Sequence, residues 1–154
     1  MPRPSFDEIF LDIARTLSTR STCPKLHVGA VVVDTRNRIV GCGYNGAPSG
    51  LAHCDSAGCN EEDGHCTLAV HADINSILNA PNPALLQGAT MYLHGGRPCY
   101  RCAQAIVVVG IKRVVYFDTG YIITTKGDSL LADAGVTISR WSRPAPMNEP
   151  WRLP

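Results

Sequence analysis

The sequence predicts an α/β fold of three layers, a mixed five-stranded sheet, mostly parallel, with helices on both faces. Three features carry this: an amphipathic opening segment, the unbroken apolar run Val28-Gly29-Ala30-Val31-Val32-Val33, and a strand–helix–strand–helix–strand order from Gly88 onward. Ser5 followed by Glu8 is a capping-box pattern, and Phe6, Ile9, Phe10, Ile13, Ala14 and Leu17 recur at helical spacing, which predicts a helix over about 5–20. The run from Val28 reads as a strand buried on both faces, and Ile39 to Tyr44 as its hairpin partner across the polar turn 35–37. Cys42, alternating within the second strand, reads as simple core. Residues 45–67 show no periodicity and hold Cys54, Cys59, Cys66, His53 and His65, a long loop that needs tying down. Val70, Ile74, Ile77 and Leu78 form one helical stripe that ends before Pro81, predicting a helix over about 70–80. Gly88 to His94 is a third strand, about 99–109 a helix, Ile111 to Phe117 a fourth strand, Ser129 to Ala134 a short helix and Val136 to Ser139 a fifth strand. Pro144, Pro146, Pro150 and Pro154 mark an extended surface tail over 143–154. No internal repeat is visible.

At 154 residues, 45% hydrophobic and 18% charged, the chain is expected to be one domain over 1–154 with its core at about 5–140. A net charge of +1 offers no broad basic face to a nucleic acid polymer or an anionic membrane. Apolar runs fall far short of the roughly 20 residues that span a bilayer, and Met1-Pro2-Arg3-Pro4 lacks a signal-peptide core. A soluble, cytoplasmic protein is expected. In a reducing compartment seven cysteines point to metal rather than to disulfides, and an odd count cannot pair completely within one chain.

The chemistry concentrates in His71-Ala72-Asp73 and Pro98-Cys99-Tyr100-Arg101-Cys102, each opening a helix. Cys99 and Cys102, three apart, share a helix face, so both sulfurs can reach one ion, and His71 completes a three-ligand set. A helix N-terminus favours the thiolates that a metal requires. Three protein ligands leave a fourth tetrahedral position for water, the arrangement of a catalytic zinc. Alone, the Cys-x-x-Cys pair would read equally as a redox pair or as core thiols.

In this order the motifs resemble the cytidine and deoxycytidylate deaminase superfamily, whose signature is H-x-E followed by P-C-x-x-C. The resembling residues are Val28 to Val31, Gly43 to Gly50, His53-Cys54, Gly64-His65-Cys66, Val70-His71-Ala72, Ile77 to Ala80, Gly88 to Tyr92, Pro98-Cys99, Cys102-Ala103 and Gly110 to Tyr116. The resemblance covers about 5–140 and is nearest to the branch that acts on dCMP. It implies the family's α/β/α fold and zinc-dependent deamination of dCMP to dUMP and ammonia, which supplies dUMP for dTMP synthesis. The near-neutral charge and the Tyr44–Gly50 segment with its Cys/His loop argue against a deaminase of tRNA adenosine or single-stranded cytidine.

One departure from the family matters more than the rest. The proton shuttle is Glu, and this chain carries Asp73, shorter by one C–C bond or about 1.5 Å. Asp73 is still a base, and three readings stand open: a variant with an adjusted pocket, an engineered substitution that slows turnover and traps ligand, or a nucleotide-binding member that does not process what it binds. Cys23, His53, Cys59 and Cys66 are expected to hold a second, structural zinc, as the resemblance implies for Cys23, with Cys54 and His65 as substitutes. Cysteines that merely pack are the alternative. The resemblance also implies that Asn45, Gly46, Ala72 and Tyr121 line the substrate pocket and that Gly43 and Tyr44 lie near an allosteric nucleotide site. It implies a homohexamer, dCTP as activator with Mg2+ at that site, and dTTP as inhibitor. Lys112 and Arg113 read as phosphate contacts or as solubilising charges. Asn79-Ala80-Pro81-Asn82 stands where relatives carry a basic residue.

Overall fold

A computed structural model describes residues 3–63, 65–120 and 126–142, and the side chain of His65 lies outside that description. The chain runs α1 (Phe6–Ser18), β1 (Gly29–Val33), β2 (Ile39–Tyr44), α2 (Cys54–Ala57), β3 (Glu61–Glu62), β4 (His65–Cys66), α3 (Ala72–Leu78), a 3-10 turn (Pro83–Leu86), β5 (Thr90–Gly95), α4 (Tyr100–Val108), β6 (Arg113–Asp118), α5 (Lys126–Asp133) and β7 (Thr137–Arg140). The Pro-rich tail and Tyr121 fall outside the described residues.

The sheet has five strands in the order β2-β1-β5-β6-β7. β1 pairs antiparallel with β2 and also with β5, whereas β5–β6 and β6–β7 are parallel. Half of the pairings are therefore antiparallel, which corrects the mostly parallel expectation. The reason is topological: the crossover through α3 brings β5 back parallel to β2, and β1 lies between them.

Strand alternation divides the core in two. Ala30, Val32, Met91, Leu93, Val114 and Tyr116 pack beneath Ala72, Ala103, Ile106 and Leu131 of α3, α4 and α5. On the opposite face Val31, Val33, Tyr92 and Val115 meet Phe10, Leu11 and Ala14 of α1, with half-buried Cys42 at the margin. Ser5 caps α1, its hydroxyl accepting the Glu8 N–H at 3.2 Å. Asp7, in the first turn, receives both arms of the Arg113 guanidinium (Nη1–Oδ1 2.8 Å, Nη2–Oδ2 2.5 Å) and the Tyr92 hydroxyl (2.8 Å). Arg113 is thus a clamp between helix and sheet, a role the sequence reading did not give it. α1 lies so close to β1 that a Cβ on Gly29 would stand 1.9 Å from the Ala14 carbonyl oxygen.

Candidate metal centre

His71 and Cys99 are the N-caps of α3 and α4, both with extended backbone, so two helix N-termini converge on one point at the edge of the sheet. Cys102 lies in the first turn of α4 and is buried. The three ligand atoms form a triangle: His71 Nδ1 is 3.7 Å from Cys99 Sγ and 3.3 Å from Cys102 Sγ, and the sulfurs are 3.5 Å apart. Tetrahedral bonds of about 2.3 Å to sulfur and about 2.05 Å to nitrogen would separate two sulfurs by about 3.8 Å, and sulfur from nitrogen by about 3.6 Å. The donor set fits zinc, and its geometry selects Nδ1 as the imidazole ligand. A hydrogen bond from Cys102, reinforced by His71, pulls the Cys99 thiol down to about 3, while Cys102, whose proton is shared with that thiolate, is pushed far up. The bond to Cys99 raises His71 in turn. One member of the pair is thus already the thiolate that a cation binds.

Asp73 sits one residue into α3 and is 5% exposed. Burial is the largest influence on its carboxyl and raises its pKa, against the hydrogen bond from Cys102. Its Oδ1 also accepts the Ile74 N–H at 3.1 Å. The site therefore places one buried acid beside His71 and Cys102, its carboxyl raised by burial.

The expected nucleotide turn lies alongside. Gly46 and Val70, the residue before His71, exchange backbone hydrogen bonds (Gly46 N–H to Val70 oxygen 3.2 Å, Val70 N–H to Gly46 oxygen 2.9 Å). Asn45 is buried, and its amide is committed to the backbone: Oδ1 accepts the Val28 N–H at 2.8 Å and Nδ2 donates to the Leu26 carbonyl at 2.7 Å. Ala72, the first residue of α3, is buried, and Gly43 and Tyr44 end β2 against that helix. Asn75, which the sequence reading passed over, and Asn79, noted there only as part of the segment where relatives carry a basic residue, donate to the carbonyls of Tyr44 (2.8 Å) and Cys42 (2.9 Å). Their signal was two amides four residues apart on one helix face.

A second group forms in the irregular loop, where the sulfurs of Cys54, Cys59 and Cys66 all lie within 4.8 Å of one another and Cys54–Cys66 is 3.9 Å. Of the expected set Cys23, His53, Cys59 and Cys66, the structure brings together the last two, joined by Cys54. His53 is the exposed N-cap of α2, whereas Cys54, the first helical residue, turns inward and is buried. Cys23 is buried outside this group. His65 pairs with Glu62 in the β3–β4 hairpin. Burial pushes the Cys54 thiol up to about 12. Cys66 is lowered, the N–H groups of Ala69 and Leu68 outweighing its burial.

The chain matches the family model for the cytidine and deoxycytidylate deaminase zinc-binding region over residues 4–118. It is 42% identical over 127 residues to the deoxycytidylate deaminase of Mycobacterium phage D29, covering 75% of this chain and 97% of the phage protein. It is 37% identical over 141 residues to ComE operon protein 2 of Bacillus subtilis (strain 168), covering 91% of this chain and 73% of that protein. The crystal structure of dCMP deaminase from the cyanophage S-TIM5, solved in complex with dCMP and dUMP, matches with a TM-score of 0.75 at 29% identity, over 92% of this chain and 100% of that one.

Proposed function

The chain belongs to the cytidine and deoxycytidylate deaminase family, and from that membership we propose that it is a zinc hydrolase converting dCMP and water to dUMP and ammonia, which supplies dUMP for dTMP synthesis. The observation that carries this reading is the His71–Cys99–Cys102 triangle with the buried Asp73 carboxyl beside it. His71 through Nδ1 and Cys99 and Cys102 through their sulfurs would hold the ion, which when bound supplies a Lewis acid that makes water a better nucleophile. Asp73 holds and moves the protons: it takes one from the attacking water and places it on ring N3, then takes the second from the new C4 hydroxyl and passes it to the C4 amino group, so that ammonia departs as the C4 carbonyl forms. The Gly43–Gly46 turn and Ala72 border the nucleotide, with Asn45 shaping that border by holding the 26–28 backbone. Tyr121 is assigned as an aromatic neighbour of the base.

Cys54, Cys59 and Cys66 would hold a second, structural zinc that ties the 45–67 loop, which otherwise has little apolar content to fold around. His65 is the adjacent candidate for a fourth ligand. We assign dCTP with Mg2+ and dTTP as opposed effectors near Gly43 and Tyr44, and a homohexamer as the assembly. Among the described residues no helix is long and apolar enough to cross a membrane.

The test is incubation of the purified protein with dCMP, following the loss of cytosine absorbance and released ammonia, beside dCTP, deoxycytidine and single-stranded DNA. One ammonia per dUMP, with dCMP the preferred substrate, is expected. Tight dCMP binding without dUMP would overturn the enzymatic reading, and faster turnover of another cytosine compound would overturn the substrate.

A further inference from the structure

β2 is an edge strand, and an edge presents backbone groups with no partner strand. The Asn45 N–H donates to Val28 at 3.2 Å, so odd-numbered residues here face β1, and the carbonyls of Cys42 and Tyr44 face the open side. Those are the carbonyls that Asn79 and Asn75 of α3 occupy. The helix also rests directly on the strand backbone: a Cβ on Gly43 would stand 2.7 Å from Asn75 Cβ and 2.9 Å from Ser76 N, and one on Gly41 would stand 2.2 Å from the Ser76 oxygen. Inside the helix the Ser76 hydroxyl donates to the Asp73 carbonyl at 2.7 Å, and the Asn75 N–H donates to the His71 carbonyl at 2.9 Å.

We propose that Asn75 is a positioning residue that ties the Tyr44–Gly46 turn to the first turn of α3, so that the seating of the turn sets the reach of Asp73. This rests on the deaminase reading of the site. The tie has two strands, the Asn75 amide on Tyr44 and the backbone exchange between Gly46 and Val70, and they bracket His71 and Asp73 in sequence. Any shift of the turn is therefore passed to the helix start. A single methylene between backbone and carboxyl gives Asp73 little freedom to follow such a shift by changing rotamer, so its proton transfers depend on where the backbone stands. Asn79 holds the far end of the helix to Cys42, away from the turn, and has no such role.

The experiment is a double-mutant cycle with Asn79→Ala as control. Asn75→Ala is expected to lower kcat for dCMP at least tenfold with zinc content unchanged. In the D73E background, where an extra rotatable bond can follow the displaced helix, it should lower kcat less than threefold. Asn79→Ala removes the same type of hydrogen bond and should leave kcat within about twofold. Equal losses of kcat in the two backgrounds, or equal losses from Asn75→Ala and Asn79→Ala, overturn the proposal while leaving the deaminase reading intact. Amide hydrogen exchange reads the tie without turnover. Asn75→Ala should speed exchange over residues 44–46 and 71–76 together and Asn79→Ala should not, and acceleration of only one segment overturns the proposal. If the parent protein does not deaminate dCMP the functional reading falls, and the exchange result still decides the tie.

Discussion

Replacing Asp73 with Glu adds one C–C bond, about 1.5 Å of reach, at the residue proposed to carry protons between water and ring. Misplacing a reacting group by about 1 Å costs on the order of a hundredfold in rate, or about 2.7 kcal/mol of barrier. The helix cannot advance to close that gap: a Cβ on Gly41 would stand 2.2 Å from the Ser76 carbonyl oxygen, and Asn75 fastens the first turn of α3 to Tyr44. Asp73→Glu should therefore raise kcat for dCMP about a hundredfold. KM should stay within a few-fold, because the metal ligands and the turn are untouched. The assay is the initial rate of cytosine absorbance loss, with zinc per chain measured by plasma mass spectrometry on the same preparations. Asp73→Asn, which keeps the size and removes the base, should abolish turnover while retaining zinc. An unchanged or lower kcat for Asp73→Glu, at equal zinc content and melting temperature, would show that the surroundings are fitted to the shorter acid and would refute the reasoning.

Cys102→Ser should remove zinc from the catalytic site and bring dCMP turnover to background, and a variant that keeps full zinc and activity would exclude the ligand set. Cys66→Ser should lose the other zinc equivalent and lower the melting temperature by more than about 5 °C, with chelator treatment of the parent producing the same shift. Asp7→Asn should cost about 1 kcal/mol, modest because the pair with Arg113 is roughly a third exposed, read by urea unfolding at pH 7. Arg113 holds the Asp7 carboxyl below its ordinary value, so this stabilisation is complete above about pH 4 and is lost as pH falls through the lowered folded-state value. The difference between parent and Asp7→Asn should accordingly shrink at pH 3, and a gap that stays constant with pH would remove the ion pair as its cause.

The parts of the molecule legible in the sequence are those where a local period fixes what a side chain meets. His71, Cys99 and Cys102 sit at helix starts, and a three-residue spacing within one turn converges its sulfurs whatever the surroundings. The strands from Val28 onward were readable for the same reason, since burial on both faces demands an unbroken apolar run. The direction of β5 relative to β1 was not readable, because it depends on which side of the first hairpin the chain returns to. The role of Arg113 was equally hidden: its partner Asp7 lies 106 residues away, and no local pattern pairs them.

The loop site shows why identity fails where geometry is irregular. His53 and Cys54 are adjacent, both are metal-ligand types, and spacing to Cys59 and Cys66 cannot choose between them. The choice is made by the four-residue helix that begins at Cys54: it leaves His53 as an extended, exposed cap and turns the next side chain inward to the sulfurs. A short helix with one turn and little apolar content has no reason to form from propensity alone. With the proposed structural zinc bound, the ligand set and the helix would therefore be mutually dependent, the ion holding the turn that presents the cysteine. That dependence sets the two sites apart, since the catalytic triangle is carried by helices already packed on the sheet. Chelation should accordingly abolish activity before it disturbs the sheet, but should unravel residues 45–67 as soon as the loop metal leaves. Hydrogen exchange across a chelator titration resolves the two events. Simultaneous loss of protection in the loop and in β5 would show that the loop metal supports the whole fold, and this division of roles would then be wrong.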